Sequence, residues 1–319
     1  MTSSPYVIAV VGPTAVGKSE LAQELCLRRN GVVISADAMQ IYRGLDIGTA
    51  KMPQEERKVE HFGIDLVDVT QTYSAAQYQS YARSVIDSCF QKRITPIVAG
   101  GTGFYVRAAL DVMEFAPGEQ EDNPIRTSFE KMLEEQGADA LYAELLRRDP
   151  DAEAFVHKNN TKRVIRALEI TENGELYSSR AEHFKDREEY YPTLYIGLTK
   201  DRDVLYQSIN DRVDEMINGG LLQEVETLIE KGLLTSITAS QAIGYKELFD
   251  VVQHGASLLD AVESIKQQSR RYAKRQLSWF KSDPRIQWIH TDNLTTQQIV
   301  SQALEIIAQY ESERAHGNR

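Results

Sequence analysis

Cysteine is scarce in this chain. Cys26 and Cys89 are the only two among 319 residues, too few for a disulfide framework or a cysteine-rich zinc site, so a reducing, cytoplasmic setting is expected. Glycine and proline are thin as well, at 19 and 9, which excludes collagen-like and low-complexity chains. No apolar run approaches the ~18–20 residues that a transmembrane helix requires. The apolar stretch at residues 6–11 is short and no basic region precedes it, so a signal peptide is not expected. Positive charge is in deficit: 36 Lys and Arg stand against 47 Asp and Glu, a net charge of −11. That balance argues against bulk, nonspecific binding of nucleic acid. It leaves room for a local basic surface, because steering depends on where charges sit.

What remains is an ordinary soluble composition, 42% hydrophobic and 26% charged, with apolar material enough for a core that needs neither disulfide nor structural metal. The length suggests about two domains. Residues 6–11 (YVIAVV), 32–35, 63–67 and 95–99 read as short strands, the third of them weak. Helical patterns at 19–29 and 74–92 lie between them. Short buried strands alternating with helices imply an α/β fold with a parallel sheet. Residues 112–190 are charged and helical in pattern, which reads as a mostly helical insertion domain dividing a core of residues 1–111 and 191–319. Strand character returns at 194–198. Helix follows helix from 201 to 281, broken at Gly219-Gly220, Gly232, Gly244 and Gly255, before a last strand at 286–290 and a terminal helix from Thr295. The tail from Glu311 is polar and is expected to fray.

Gly12-Pro13-Thr14-Ala15-Val16-Gly17-Lys18-Ser19 fits the phosphate-loop pattern G-x-x-x-x-G-K-[ST], after a strand and at the start of a helix. Glycines let backbone N–H groups curl around phosphate oxygens, and the helix N-terminus adds partial positive charge. Lys18 is expected to reach the outer phosphate, and the Ser19 hydroxyl to hold Mg²⁺. The pattern does not say which diphosphate is bound. A nucleotide hydrolase also carries an Asp at a strand end to hold Mg²⁺, yet residues 95–99 run into Gly100-Gly101-Thr102-Gly103 with no carboxylate. Asp37, just past the second strand, would lie near the loop; it can serve Mg²⁺, act as a base on an acceptor, or cap a turn. His61 has no Cys or His at ligand spacing and reads as an ordinary loop histidine.

The loop taken with Asp37-Ala38-Met39-Gln40-Ile41-Tyr42-Arg43-Gly44 and Gly100-Gly101-Thr102-Gly103 resembles the tRNA dimethylallyltransferase (tRNA isopentenyltransferase) family. Further matches follow in order: residues 46–51, Lys162-Arg163-Val164-Ile165-Arg166 with its continuation to Glu169, Gln241-Ala242-Ile243-Gly244-Tyr245-Lys246, and Lys274-Arg275-Gln276-Leu277-Ser278-Trp279-Phe280-Lys281. Two departures are visible, Ala38 where Ser is common and Thr161-Lys162 in place of a Gln-bearing start. The eukaryotic members' Cys/His zinc finger is absent, as in bacterial-type members. The resemblance implies a P-loop NTPase-like core that moves a dimethylallyl group from its diphosphate to the exocyclic amine of an adenosine beside the tRNA anticodon. It implies Mg²⁺ as cofactor and tRNA and dimethylallyl diphosphate as substrates; one tRNA and one tunnel need no partner subunit, so a monomer is expected. Asp37 becomes the expected base, Thr102 a contact to the target nucleotide, and Arg212 a pyrophosphate contact. Residues 37–40, Arg126 and the three later runs named above become the expected tRNA contacts. The target base would leave its stack to reach the reacting carbon.

An acidic chain that binds RNA must segregate its charge. Residues 264–282 carry Lys266, Arg270, Arg271, Lys274, Arg275 and Lys281 without one Asp or Glu, and Tyr272, Trp279 and Phe280 can stack on bases or pack inward. Lys158, Lys162, Arg163 and Arg166 form a second run. Each run alone also reads as a solvated helix face. The competing class is a small-molecule or nucleoside kinase with the same loop, against which the missing strand-end Asp counts.

Overall fold

The computed structural model describes residues 4–115, 123–184 and 186–317. Six strands, β1 (Val7–Val11), β2 (Gly31–Ser35), β3 (His61–Phe62), β4 (Thr95–Gly100), β5 (Thr193–Thr199) and β6 (Ile286–His290), form one sheet in the order β3-β2-β4-β1-β5-β6. Every pairing is parallel. The helices are α1 (Lys18–Arg29), α2 (Ala75–Lys92), α3 (Gly103–Leu110), α4 (Pro124–Arg148), α5 (Thr161–Glu172), α6 (Tyr177–His183), α7 (Arg202–Asn218), α8 (Leu221–Glu230), α9 (Phe249–His254), α10 (Leu258–Lys281) and α11 (Thr296–Gly317).

β1 reads VIAVV and all five residues are fully buried. A strand without polar alternation requires cover on both faces, as in doubly wound parallel sheets. Against one face pack Leu21 and Leu25 of α1, Leu205 and Ile209 of α7, Ala273 of α10, and Val300, Ala303 and Ile307 of α11. Local chemistry sets several boundaries. Ser74 and Gln77 form a reciprocal capping box that starts α2, with bonds of 3.2 and 2.7 Å.

The chain divides into two units, one of Met1–Asp111 with Glu189–Arg319 and one of Val112–Glu188. The second unit contains α4, interrupted at Gly137 (φ +83°), with α5 and α6 around a core of Phe129, Leu141, Leu145, Val164 and Leu168. Residues 116–122 of the expected helical insertion lie outside the described residues. In the first unit the buried Asp111 carboxylate is bound by Arg107 Nε at 2.7 Å and Arg285 Nη1 at 2.8 Å.

Two expectations are corrected. The third strand is His61–Phe62, paired with Val33 and Ile34, and not residues 63–67. Gly63 (φ +78°) and Asp65 (φ 54°) are left-handed, which ends extension. His61 therefore sits on a strand, where burial, with Arg57 adding, pulls its pKa down to about 4 and keeps it neutral. The polar tail does not fray at Glu311: α11 continues to Gly317, and Glu311 accepts a hydrogen bond from Tyr6 Oη at 2.7 Å and pairs with Arg29.

Candidate active site

The segments following β1, β2, β4, β5 and β6 all open on one cavity of about 1080 Å³. This is where open parallel sheets bind ligands, outside the carboxyl ends of the strands at the point where their order reverses. The loop after β1 is shaped by its glycines. Gly12 has φ +140°, and a Cβ there would stand 2.3 Å from the Leu198 carbonyl oxygen. Gly17, at φ +91°, precedes the first residue of α1. Lys18 Nζ donates to the Pro13 carbonyl at 2.5 Å, and Arg212 Nη1 of α7 donates to Thr14 Oγ1 at 3.3 Å. Burial draws the Lys18 pKa down to about 7, with Arg212 adding and Asp37 opposing. Burial also lowers Arg212, against the attraction of Asp37 and Glu215. Among the described residues no salt bridge pairs Lys18 or Arg212 with a carboxylate within 4.0 Å, an arrangement suited to an added anion.

The acceptor side is built after β2 and β4. Asp37 Oδ1 accepts from the Met39 amide at 2.9 Å, turning the chain and keeping the carboxylate at the cavity. The Ala38 amide donates to Thr102 Oγ1 at 3.1 Å. Thr102 stands at the N-terminus of α3 without capping it; its hydroxyl ties the two loops instead. Ser19 and Asp37 both line the cavity and offer hard oxygen donors of the kind Mg²⁺ takes. Among the described residues, Asp201, His290 and Asp292 also bring ligand atoms together, but Asp292 already accepts from the Asp201 amide at 2.9 Å.

Gln276 of α10 joins the two sides. Its Oε1 accepts from the Thr14 amide at 3.0 Å and its Nε2 donates to the Gly101 carbonyl at 2.9 Å, with the residue only 5% exposed. Tyr272, one turn earlier, also lines the cavity, and burial raises its phenol to about 12, with the Asp37 charge adding. The glycines after β4 follow from close approach: a Cβ would stand 2.1 Å from the Ala36 carbonyl oxygen at Gly100, 2.2 Å from Gln276 Nε2 at Gly101, and 2.1 Å from the Trp279 indole at Gly103.

A family model described as IPP transferase matches residues 40–283. The chain belongs to the IPP transferase family. Its relatives include the tRNA dimethylallyltransferase of Bacillus subtilis (strain 168), 45% identical over 291 residues that cover 90% of this chain and 91% of that one. Among solved structures, the full-length tRNA isopentenylpyrophosphate transferase of Bacillus halodurans superposes with a TM-score of 0.73 at 38% identity, covering 98% and 99% of the two chains. A eukaryotic dimethylallyltransferase acting on tRNA superposes with a TM-score of 0.78 at 28% identity, covering 96% of this chain and 80% of that one. The fold is the α/β, P-loop-like core of these transferases.

Within this IPP transferase, the residues expected to contact tRNA separate by exposure. Asp37, Ala38, Met39, Gln40, Thr102, Gln241, Ile243, Gly244, Lys246 and Arg275 border the cavity. Lys162, Arg163, Lys274, Ser278 and Lys281 are exposed, while Leu277 and Trp279 are half-buried. Val164, Ile165, Tyr245 and Phe280 are corrected: their side chains are buried and face inward, while Ala242 and Gln276, at 2% and 5% exposure, still line the cavity. A run of consecutive helix residues necessarily includes the inward face. The basic runs are also less free than their sequence implied. Lys266 pairs with Asp214 at 2.8 Å, Lys158 with Asp139 at 2.8 Å, and Arg166 and Arg126 with the buried Glu169 at 2.8 and 2.6 Å. Arg163 donates to Tyr177 Oη at 2.6 Å. The acids come from elsewhere in the chain or one helical turn beyond the run.

The sequence reading missed Glu224. Its carboxylate accepts from the Ile47 amide at 2.9 Å, from the Asp46 and Gly48 amides, and from Tyr245 Oη at 2.5 Å, holding the segment that forms one wall of the cavity. No local pattern marks it, because the amides it binds lie about 177 positions away and Tyr245 lies 21 away.

Proposed function

We propose that the chain transfers a dimethylallyl group from dimethylallyl diphosphate to the exocyclic amine of the adenosine 3′-adjacent to the anticodon in tRNA, releasing pyrophosphate. The observation that carries this reading is a carboxylate, Asp37, set beside a phosphate loop with Lys18 and Arg212 in one cavity. The activities for which its relatives are named support it. The adenine nitrogen attacks the allylic carbon, the carbon–oxygen bond breaks, and the electron pair leaves with pyrophosphate. Loop N–H groups, Lys18 and Arg212 stabilise the charge that grows on the leaving oxygen. Adenine's amine is a weak nucleophile because its lone pair is delocalised into the ring, so Asp37 takes the proton as the bond forms. Mg²⁺ would be held by Ser19 and the diphosphate; when bound it supplies further neutralisation of the leaving group. Lys274, Arg275, Lys281 and Lys162 are the cations we assign to tRNA, and we take the chain to act as a cytoplasmic monomer. A kinase is not favoured: β4 ends at Ala99-Gly100 without the carboxylate that phosphoryl transfer uses.

The test is single-turnover transfer of labelled dimethylallyl into unmodified tRNA, with wild type and Asp37→Ala. Label entering tRNA with wild type, reduced about 10²–10⁴-fold in the variant, is the expected result. Equal labelling would remove Asp37 as the base. No labelling, with ATP consumed in its place, would return the chain to the kinase reading.

A further inference from the structure

We infer that Gln276 is a positioning residue that fixes the gap between the donor and acceptor halves of the active site; this rests on the transfer reaction proposed above. The donor half is the loop after β1 and the acceptor half is built from the segments after β2 and β4. Register pairs Val11 with Gly100 at the strand ends, which sets where the loops begin. Beyond that point the backbone ladder no longer holds them together. Gln276 does, accepting from Thr14 N on one loop and donating to Gly101 O on the other. A carboxamide is suited to this because one group presents both an acceptor and a donor; a carboxylate only accepts and an ammonium only donates. At 5% exposure Gln276 is largely shielded from water, its bond to Gly101 being buried and that to Thr14 part-buried. Gly101 leaves the space that the amide fills, since a Cβ would fall 2.2 Å from Nε2.

Both ends of the bridge lead to reacting groups. Thr14, held through its amide, also receives Arg212 on its hydroxyl. Gly101 adjoins Thr102, whose hydroxyl holds the amide of Ala38, next to Asp37. Tyr272, one turn earlier on α10, lines the same cavity as Thr102 and Gln276. Displacement at carbon needs nucleophile, carbon and leaving oxygen in line, and a misplacement of ~1 Å can cost about 10²-fold. Gln276 therefore acts on the rate of transfer more than on the binding of either substrate.

The experiment compares wild type, Gln276→Ala, Gln276→Glu and Gly101→Ala of the full chain. It measures kcat, KM for dimethylallyl diphosphate and for tRNA, and the ratio of pyrophosphate released to dimethylallyl transferred. Gln276→Ala is expected to lower kcat by ~10–100-fold, with each KM changing by less than about threefold. The ratio should rise above one as water takes the place of the misplaced amine, giving the free alcohol and a proton. Gln276→Glu should recover little, because its carboxylate faces the Gly101 carbonyl. Gly101→Ala, which leaves the amide intact but displaces it, should reproduce the kcat loss. A kcat that is unchanged, or that falls only with the folded fraction while the ratio stays at one, overturns the inference. Wild type that transfers nothing overturns the function itself.

Discussion

Arg212 reaches Thr14 across 198 positions of sequence, its Nη1 donating to the threonine hydroxyl at 3.3 Å, so a helix from the second half of the chain delivers a cation to the phosphate loop. Arg212→Ala is expected to lower kcat for dimethylallyl transfer by about 10²–10³-fold, the range for removing one preorganised donor to a developing oxyanion. Arg212→Lys should restore part of this, since charge returns without the fixed fork. Steady-state kinetics on both variants decide it: an unchanged kcat would make Arg212 only a brace for the loop.

Lys18 gives the site a pH dependence with a definite sign. Burial, then Arg212, lowers its pKa to about 7, while Asp37 pulls the other way. Amine and ammonium are then both populated near neutrality. Diphosphate favours the ammonium, so binding raises the pKa and takes up a proton. Affinity is greatest below pH 7 and falls as the pH rises through it, by up to about tenfold per unit. Calorimetry of pyrophosphate binding at pH 6.5 and 8.5, in two buffers of different ionisation heat, reads the proton directly. Lys18→Arg, charged throughout, should flatten the fall; an equally steep profile would place the titration elsewhere.

Glu224 is the keystone of the cavity wall formed by residues 46–48. Glu224→Ala leaves three backbone amides and the Tyr245 hydroxyl short of an acceptor. The expected cost is about 3 kcal/mol, lowering Tm by roughly 6–12 °C. Glu224→Gln keeps one acceptor oxygen and should lose less than half as much. Thermal melts followed by circular dichroism would show both; a shift under about 2 °C for the alanine variant would mean that water replaces the carboxylate.

Much of the core was legible because its determinants are local. The apolar run of β1, the helix spacing of residues 74–92 and the glycine spacing of residues 12–19 each specify conformation within a few residues. The third strand was misplaced for the complementary reason. Residues 63–67 look extended in composition, but Gly63 and Asp65 adopt left-handed backbone once β3 has docked beside β2. The C-terminal helix was read as frayed because Tyr6 and Arg29, which secure Glu311, are nearly the whole chain away.

The same division runs through the active site. By itself the sequence determined the glycine-shaped loop after β1, the place of Asp37 and the family, since spacing and residue type suffice for a local turn. Only the tertiary structure decided which members of each motif face the cavity. Gln276 and Tyr245 stand within runs read as RNA contacts, yet both are buried and spend their polar atoms on Thr14, Gly101, Gly48 and Glu224. A linear motif records which residues occur together, not the side of the helix they occupy. The partners that neutralise a charge or span two loops are set by packing between segments far apart in sequence.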